Sequence, residues 1–241
     1  MPALAACGET DPGLVRQNNE DSLFLDQSLG LAIVADGMGG ASCGEIASAL
    51  TVEAVVRYVR QPPVNWPPAQ LLEEAIQEAN RCVLDRASSD ASCAGMGSTI
   101  VAALWNLPEM VIANVGDSRA YLWRNQTLTQ LSYDQTLVNE LRLRFGLTEE
   151  EVSSFPHRNV LTMAVGSAAD LRVRLHALTL EARDQVLLCS DGLSGPVPSA
   201  EIASILATSA PVADQVHRLV EAAKTNGAPD NVTAILLRYQ E

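Results

Sequence analysis

Three apolar runs from distant parts of the chain each meet an aspartate at one end. Leu31-Ala32-Ile33-Val34-Ala35 leads into Asp36-Gly37, Val186-Leu187-Leu188-Cys189-Ser190 leads into Asp191-Gly192, and Asp230-Asn231 opens Val232–Leu237. Short continuous apolar runs read as strands covered on both faces, and a buried strand holds its terminal residues rigidly. A fourth run, Met110–Val115, ends at Gly116-Asp117, and Asn19-Glu20-Asp21 stands just before another. One Asp-Gly after a strand signals only a turn. Repeated at several strand ends, it predicts a sheet protein whose acidic side chains gather at one rim.

The rest of the chain falls into blocks around these strands. Residues 3–36 read as short strands. A helical stripe of Ile46, Leu50, Val52, Val55 and Val56 predicts a helix from about Glu45 to Arg60, and Leu72, Ile76, Ala79 and Val83 predict another over Ala69–Arg86. The proline-rich stretch between them cannot continue a helix. Ser98–Trp105, Met110–Val115 and Ala120–Trp123, with turn-like separators, predict an antiparallel meander. Residues 134–158 read as polar or helical, with Thr148-x-x-Glu151 as a capping box. Strands near 171–180 and 185–190 join at Glu181–Asp184, and helices near 199–208 and 211–225 precede the final strand. Helices grouped outside antiparallel strands imply an α+β sandwich rather than a doubly wound sheet.

Charge and cysteine usage narrow the function classes. A net charge of -13 over 241 residues speaks against a nucleic-acid partner, because phosphate backbones repel an acidic surface. No stretch is long and uncharged enough to span a membrane, and no basic-then-apolar leader precedes the first strand. Cys7, Cys43, Cys82, Cys93 and Cys189 are odd in number and contain no C-x-x-C pair, so the expectation is reduced thiols in a cytoplasmic protein. A monomer is expected.

Carboxylates gathered without basic partners repel one another, and hard divalent cations are the usual remedy. An all-oxygen set favours Mg²⁺ or Mn²⁺ over zinc; His157, His176 and His217 lie far apart and form no ligand pair. Gly39 and Gly44 have the spacing of a phosphate-binding loop, but Glu45-Ile46 stands where such a loop needs Lys and Ser/Thr, so a nucleotide-binding module is a poor fit. Those glycines instead let the backbone approach a metal, with the Gly37 carbonyl as a candidate ligand. The residues therefore read as a metal-dependent hydrolase.

Six motifs make the reading more specific. Arg16-Gln17-Asn18-Asn19-Glu20-Asp21, Val34-Ala35-Asp36-Gly37-Met38-Gly39-Gly40, Gly97-Ser98-Thr99, Val115-Gly116-Asp117-Ser118-Arg119, Cys189-Ser190-Asp191-Gly192-Leu193 and Asp230-Asn231-Val232-Thr233 occur in one order along the chain. In that order they resemble the metal-dependent serine/threonine protein phosphatases of the type 2C class, in the compact bacterial form without a regulatory extension, and especially stand-alone cyanobacterial members. The resemblance implies a single catalytic domain over residues 1–241, built as an αββα sandwich of two antiparallel sheets flanked by helices, with a flap near 135–160. It implies hydrolysis of phosphoserine and phosphothreonine on proteins by direct attack of a metal-bridging water, without a phosphoenzyme. Two Mn²⁺ or Mg²⁺ ions and a third, weaker one are implied. Asp36 would bridge, the Gly37 carbonyl would bind one ion, and Asp191 and Asp230 would complete the other. Glu20 and Asp21 would act largely through water, with Asp21 orienting the nucleophile. Asp117 would help hold the third ion, and Arg16 would bind phosphate. Without the resemblance, Arg16 reads as a surface cation paired with Glu20 or Asp21.

The chain departs from the family pattern at Ala41 and at Gln135, where bacterial relatives often carry His, and at Met163, where they often carry Arg. These departures bear on leaving-group protonation and substrate preference, not on the carboxylates. Ala41 and Gln135 are also what supports an alternative reading, a pseudophosphatase that recognises phosphoproteins without turnover. Cys43 reads as an inert small residue at a helix N-terminus. In the flap, Arg142, Arg144, His157 and Arg158 are candidates to receive an anionic phosphoprotein; by themselves they read equally as surface cations facing Glu149, Glu150 and Glu151.

Overall fold

The computed structural model describes residues 3–39, 43–62, 66–148 and 160–240. Eleven strands form two antiparallel sheets among these residues. The first sheet has the order β1 (Ala3–Asp11), β11 (Val232–Gln240), β10 (Gln185–Cys189), β7 (Arg119–Arg124), β8 (Thr127–Gln130). The second has the order β2 (Asp21–Asp26), β3 (Leu31–Met38), β5 (Ile100–Asn106), β6 (Glu109–Val115), β9 (Arg174–Thr179), and the two-residue β4 (Gly97–Ser98) pairs with the end of β3.

The alternation of side chains along the buried strands generates the layers. On β3, Leu31, Ile33 and Ala35 pack with Val52, Val55, Leu72 and Ile76 of α1 (Cys43–Arg60) and α2 (Pro68–Ser89). Ala32 and Val34 face the other way and meet Val186, Leu188, Ile235 and Leu237 of the first sheet. On β10, Leu187 and Cys189 pack with Ile202, Val216 and Leu219 of the helices Ser199–Leu206 and Val212–Thr225. Both faces of the central strands are therefore covered, and the order helices, sheet, sheet, helices is the expected αββα sandwich. A further short helix, α3 (Leu137–Phe145), is capped by the Thr136 side chain at its start and by left-handed Gly146 at its end. Among the described residues no helix is long and apolar enough to cross a membrane.

Two expectations need correction. The runs 98–105, 110–115 and 120–123 do not form one meander. β5 and β6 are a hairpin in the second sheet, but the chain then crosses at Gly116–Ser118, and β7 pairs with β8 and β10 in the first. Gly116 has φ +92, and a Cβ there would stand 2.8 Å from Thr99, so the corner requires glycine. The strands around 181–184 likewise adjoin in sequence but belong to different sheets, β9 on β6 and β10 on β11. Hydrophobic periodicity identifies a strand but not the sheet it joins.

The expectation of five reduced thiols is also corrected. Cys43 and Cys93 form a disulfide with their Cα atoms 5.4 Å apart, and Cys7, Cys82 and Cys189 are free. The two partners are 50 residues apart. Only the packing of the α1 N-terminus on the turn Ala91–Cys93 brings them together, so spacing alone could not reveal it. The capping box at Thr148-x-x-Glu151 extends outside the described residues, as do Ala41, His157 and Arg158.

Candidate metal centre

The carboxylates gather where strand ends of both sheets meet. Asp21 and Asp36 are direct partners across the β2–β3 ladder. Asp117 stands at the crossing after β6, Asp191 opens the short helix Asp191–Ser194 after β10, and Asp230 precedes β11. Arg16, Glu20, Asp36, Gly37, Asp117, Asp191 and Asp230 all line one cleft of about 880 Å³.

The backbone around this rim is held by a dense set of polar contacts. Asn231 Oδ1 accepts the Glu20 N–H at 2.8 Å, while its amide group donates to the carbonyls of Asn18 at 2.8 Å and Pro12 at 3.0 Å. Thr99 Oγ1 accepts the Asp36 N–H at 3.0 Å, and the Thr99 N–H donates to the Asp36 carbonyl at 2.8 Å. Ser190 Oγ donates to Asp21 Oδ2 at 2.8 Å and accepts the Thr233 N–H at 3.1 Å. Asn231, Thr99 and Ser190 are positioning residues that sequence reasoning quoted within motifs but gave no role. Their signal was present: each directly neighbours a carboxylate or closes a strand on it. Gly37 is fixed as firmly, since a Cβ there would fall 1.9 Å from the Gly44 carbonyl oxygen and 2.8 Å from that of Glu20.

The electrostatics of the rim are unbalanced. Burial, joined by repulsion from Asp191 and Asp230, pushes Asp21 up to about 6 even against its bonds to Thr233 and Ser190. Burial and the charges of Asp21, Asp191, Asp117 and Asp230 hold Asp36 well above the usual carboxylate range. Burial and then Asp191 and Asp134 push Asp117 up to about 7, and burial and Asp230 also raise Asp191. Asp21 Oδ1 and Asp191 Oδ1 are buried with no hydrogen-bond partner among the described residues. Buried acceptors without donors, repelling like neighbours, are what a hard cation would satisfy. Among the described residues no three His, Cys, Asp or Glu side chains close around one point by themselves. The Gly37 carbonyl stands on the same cleft wall as the carboxylates.

Arg16 sits at this rim, but its partner is neither Glu20 nor Asp21: its guanidinium donates to Asp230 Oδ2 at 2.8 Å, with the side chain 50% exposed. Gln135 is buried, and its amide serves the backbone. Oε1 accepts the Gly116 N–H at 2.8 Å, Nε2 donates to the Arg172 carbonyl at 2.7 Å, and the Gln135 N–H returns to the Gly116 carbonyl at 2.9 Å. It thus fixes the corner that presents Asp117. Arg142 lines a second cavity of about 810 Å³ that shares Asp117, Asp191 and Asp230 with the first. Arg144 lines neither cavity; it is exposed, with its guanidinium 5.6 Å from the Phe145 ring centre.

Comparison with known proteins gives the family. Residues 14–237 fit the sequence profile of the family described as Protein phosphatase 2C. The chain belongs to that family. Its class is that of the metal-dependent serine/threonine protein phosphatases. It is 35% identical over 234 residues to the serine/threonine phosphatase stp of Listeria welshimeri, covering 95% of this chain and 93% of that one. The crystal structure of the Mycobacterium tuberculosis serine/threonine phosphatase PstP/Ppp superposes with a TM-score of 0.91 at 34% identity, covering 99% of each chain. The catalytic domain of the serine/threonine protein phosphatase PstP in complex with two manganese ions superposes with a TM-score of 0.89 at 33% identity, covering 100% of both.

Proposed function

We propose that this chain, as one catalytic domain with the flap near 135–160, hydrolyses phosphoserine and phosphothreonine on proteins by direct attack of water on phosphorus, with no phosphoenzyme. The observation that carries this is the rim of five aspartates, two of whose buried oxygens lack a donor among the described residues. In this reading Asp36, Asp191, Asp230, Glu20 and the Gly37 carbonyl hold two Mn²⁺ or Mg²⁺ ions, and Asp117 with Asp191 holds a weaker third. When bound, such ions supply a nucleophilic water deprotonated near neutral pH and neutralise the phosphoryl charge.

The protein's own groups then orient and bind. Asp21 keeps one oxygen on Ser190 and has the other free to orient the attacking water. Arg16, half exposed and resting on Asp230, has a planar fork suited to two phosphate oxygens. Because the two cavities share the carboxylates, a phosphorylated side chain at the rim leaves room for flanking chain on both sides, one side passing Arg142. Arg144 contributes through charge alone. Substrates are phosphorylated proteins, and nucleic acid and membrane are not partners of so acidic a surface. A cytoplasmic monomer is the setting we infer: three of the five cysteines, Cys7, Cys82 and Cys189, are free thiols, as in a reducing compartment, and the Cys43–Cys93 disulfide is the exception.

The test is release of phosphate from p-nitrophenyl phosphate and a phosphothreonine peptide, with Mn²⁺, Mg²⁺ or EDTA. Release should require the metal and vanish in Asp36→Asn. A folded, metal-loaded protein that binds the phosphopeptide but releases no phosphate would sink the hydrolase reading in favour of recognition without turnover.

A further inference from the structure

Cys43 and Cys93 are 6% and 2% exposed, but the turn that carries Cys93 is a surface feature, with Ala91, Ser92, Ala94 and Gly95 all exposed. The sulfurs lie just beneath that turn. Cys43 is the first residue of α1, and Gly44 beside it faces the metal rim. The Cβ position of Gly44 is 2.7 Å from Glu20 Cδ, and that of Gly37 is 1.9 Å from the Gly44 carbonyl oxygen. Gly39 is wedged between Met96, at 2.9 Å from its Cβ position, and Cys43 Cβ, at 3.4 Å. On the far side, Cys93 leads through Met96 to β4, whose Ser98 and Gly97 pair with Gly37 and Met38. The bond thus ties the N-terminus of α1 to the segment leading into β4, the strand that pairs with Gly37 and Met38.

We propose that Cys43 and Cys93 form a redox-modification site that sets the metal affinity of the neighbouring Gly37–Glu20 edge, the disulfide form binding more tightly. The step is an ordinary dithiol oxidation by a hydroperoxide. One thiolate attacks the peroxide oxygen and becomes a sulfenic acid as ROH leaves. The second thiol attacks that sulfur, the S–S bond forms, and water departs. Two thiols are oxidised and the O–O bond is reduced; an external dithiol reverses the change. Sulfurs that are no longer bonded must part to van der Waals separation, which is about an ångström or more beyond a covalent bond. Gly39 and Gly44 lie between the sulfurs and the metal edge, and the space there is too small for even an added Cβ, which would meet Met96 at one and Glu20 at the other, so the movement passes to Gly37 and Glu20.

This coupling rests on the metal centre proposed above, and the experiment separates the two. The full-length protein is treated with hydrogen peroxide or with a phosphine reductant that is then removed. Peptide mapping after alkylation reads the thiols, and calorimetric titration with Mn²⁺ reads binding. The expected result is a Cys43–Cys93 cross-link in the oxidised protein with Cys7, Cys82 and Cys189 alkylated, and Mn²⁺ binding weaker by about tenfold after reduction, as when a supporting shell around a metal is loosened. A double variant, Cys43→Ala with Cys93→Ala, should match the reduced affinity and ignore peroxide. If it does not fold, the two redox forms of the wild type still decide. Equal or tighter Mn²⁺ binding after reduction, or no cross-link under peroxide, overturns the switch while leaving the metal centre intact. Absence of Mn²⁺ binding in both forms overturns the metal centre and the coupling with it.

Discussion

The two ends of β10 carry the same residue type in opposite circumstances. Asp184 stands just before the strand and Asp191 two residues after its last, with Ser190 between. Asp184 is 2% exposed, yet fully provided for. Arg124 donates to Asp184 through Nε at 2.9 Å and through a second, shorter bond from Nη2, and the Glu181 N–H donates to Oδ2 at 2.8 Å. The same guanidinium reaches Glu181 Oε1 and the Thr179 carbonyl. At the other end Asp191 meets Asp36, Asp230 and Asp117, and one of its oxygens has no partner among the described residues. A buried charge that is paired within the chain serves the fold; one left unpaired marks a place where something else must bind. The difference lies in whether an arginine bonds to it directly: Arg124 does at Asp184, whereas Asp191 feels Arg119 and Arg16 only at a distance.

The strongest way to break the contrast is at the unpaired end. Asp36→Asn removes a repelling charge, so the metal-free protein should melt no lower than wild type, while kcat falls by about a thousandfold or more, several kcal/mol of lost charge stabilisation. Thermal melts in EDTA and turnover in Mn²⁺ check the two halves. At the paired end the expected result is the reverse. Arg124→Met leaves Asp184 buried without its cation and should cost about 2–3 kcal/mol by urea denaturation, the partial exposure of the arginine keeping the cost below that of a fully buried pair. Turnover per folded molecule should stay at the wild-type value, and a matching fall in kcat would erase the distinction between the ends.

A third test uses pH. The rim aspartates titrate above their unfolded value, so the folded state holds extra protons and loses stability as pH rises through the folded pKa. With Asp117 at about 7, going from roughly pH 6 to pH 8 should remove about 1.4 kcal/mol in EDTA. Saturating Mn²⁺ should abolish or invert that slope, because the ion takes the place of the protons. A flat EDTA profile would mean the carboxylates are already compensated. The smallest effect is expected at the flap. Arg142→Glu should raise KM for a phosphopeptide by roughly threefold to tenfold, on the order of one rim charge pair, and leave p-nitrophenyl phosphate unchanged. Arg144→Glu, which lines neither cavity, should do less.

The carboxylate rim was legible in the sequence because it is written in local terms. A run such as Leu31–Ala35 needs no partner to be read as a buried strand, and Asp36 at its end must then lie at a sheet edge. The six ordered motifs added the family, and with it the sandwich. Several features were not legible for one common reason. Gln135 read as a missing histidine, and the structure shows an amide spent on the Gly116 corner. Apart from the family resemblance, which made it a phosphate ligand, Arg16 read as a partner of Glu20 or Asp21 nearby, and it reaches Asp230, 214 residues on. Periodicity and side-chain chemistry are properties of a segment, so the sequence by itself determined which strands are buried, where the acids stand and which cation class suits them. Which sheet β7 and β10 join, which arginine meets which aspartate, and that Cys43 meets Cys93 are properties of pairs far apart in the chain. Only the tertiary structure decides those, because they depend on how buried faces pack once two sheets close on each other.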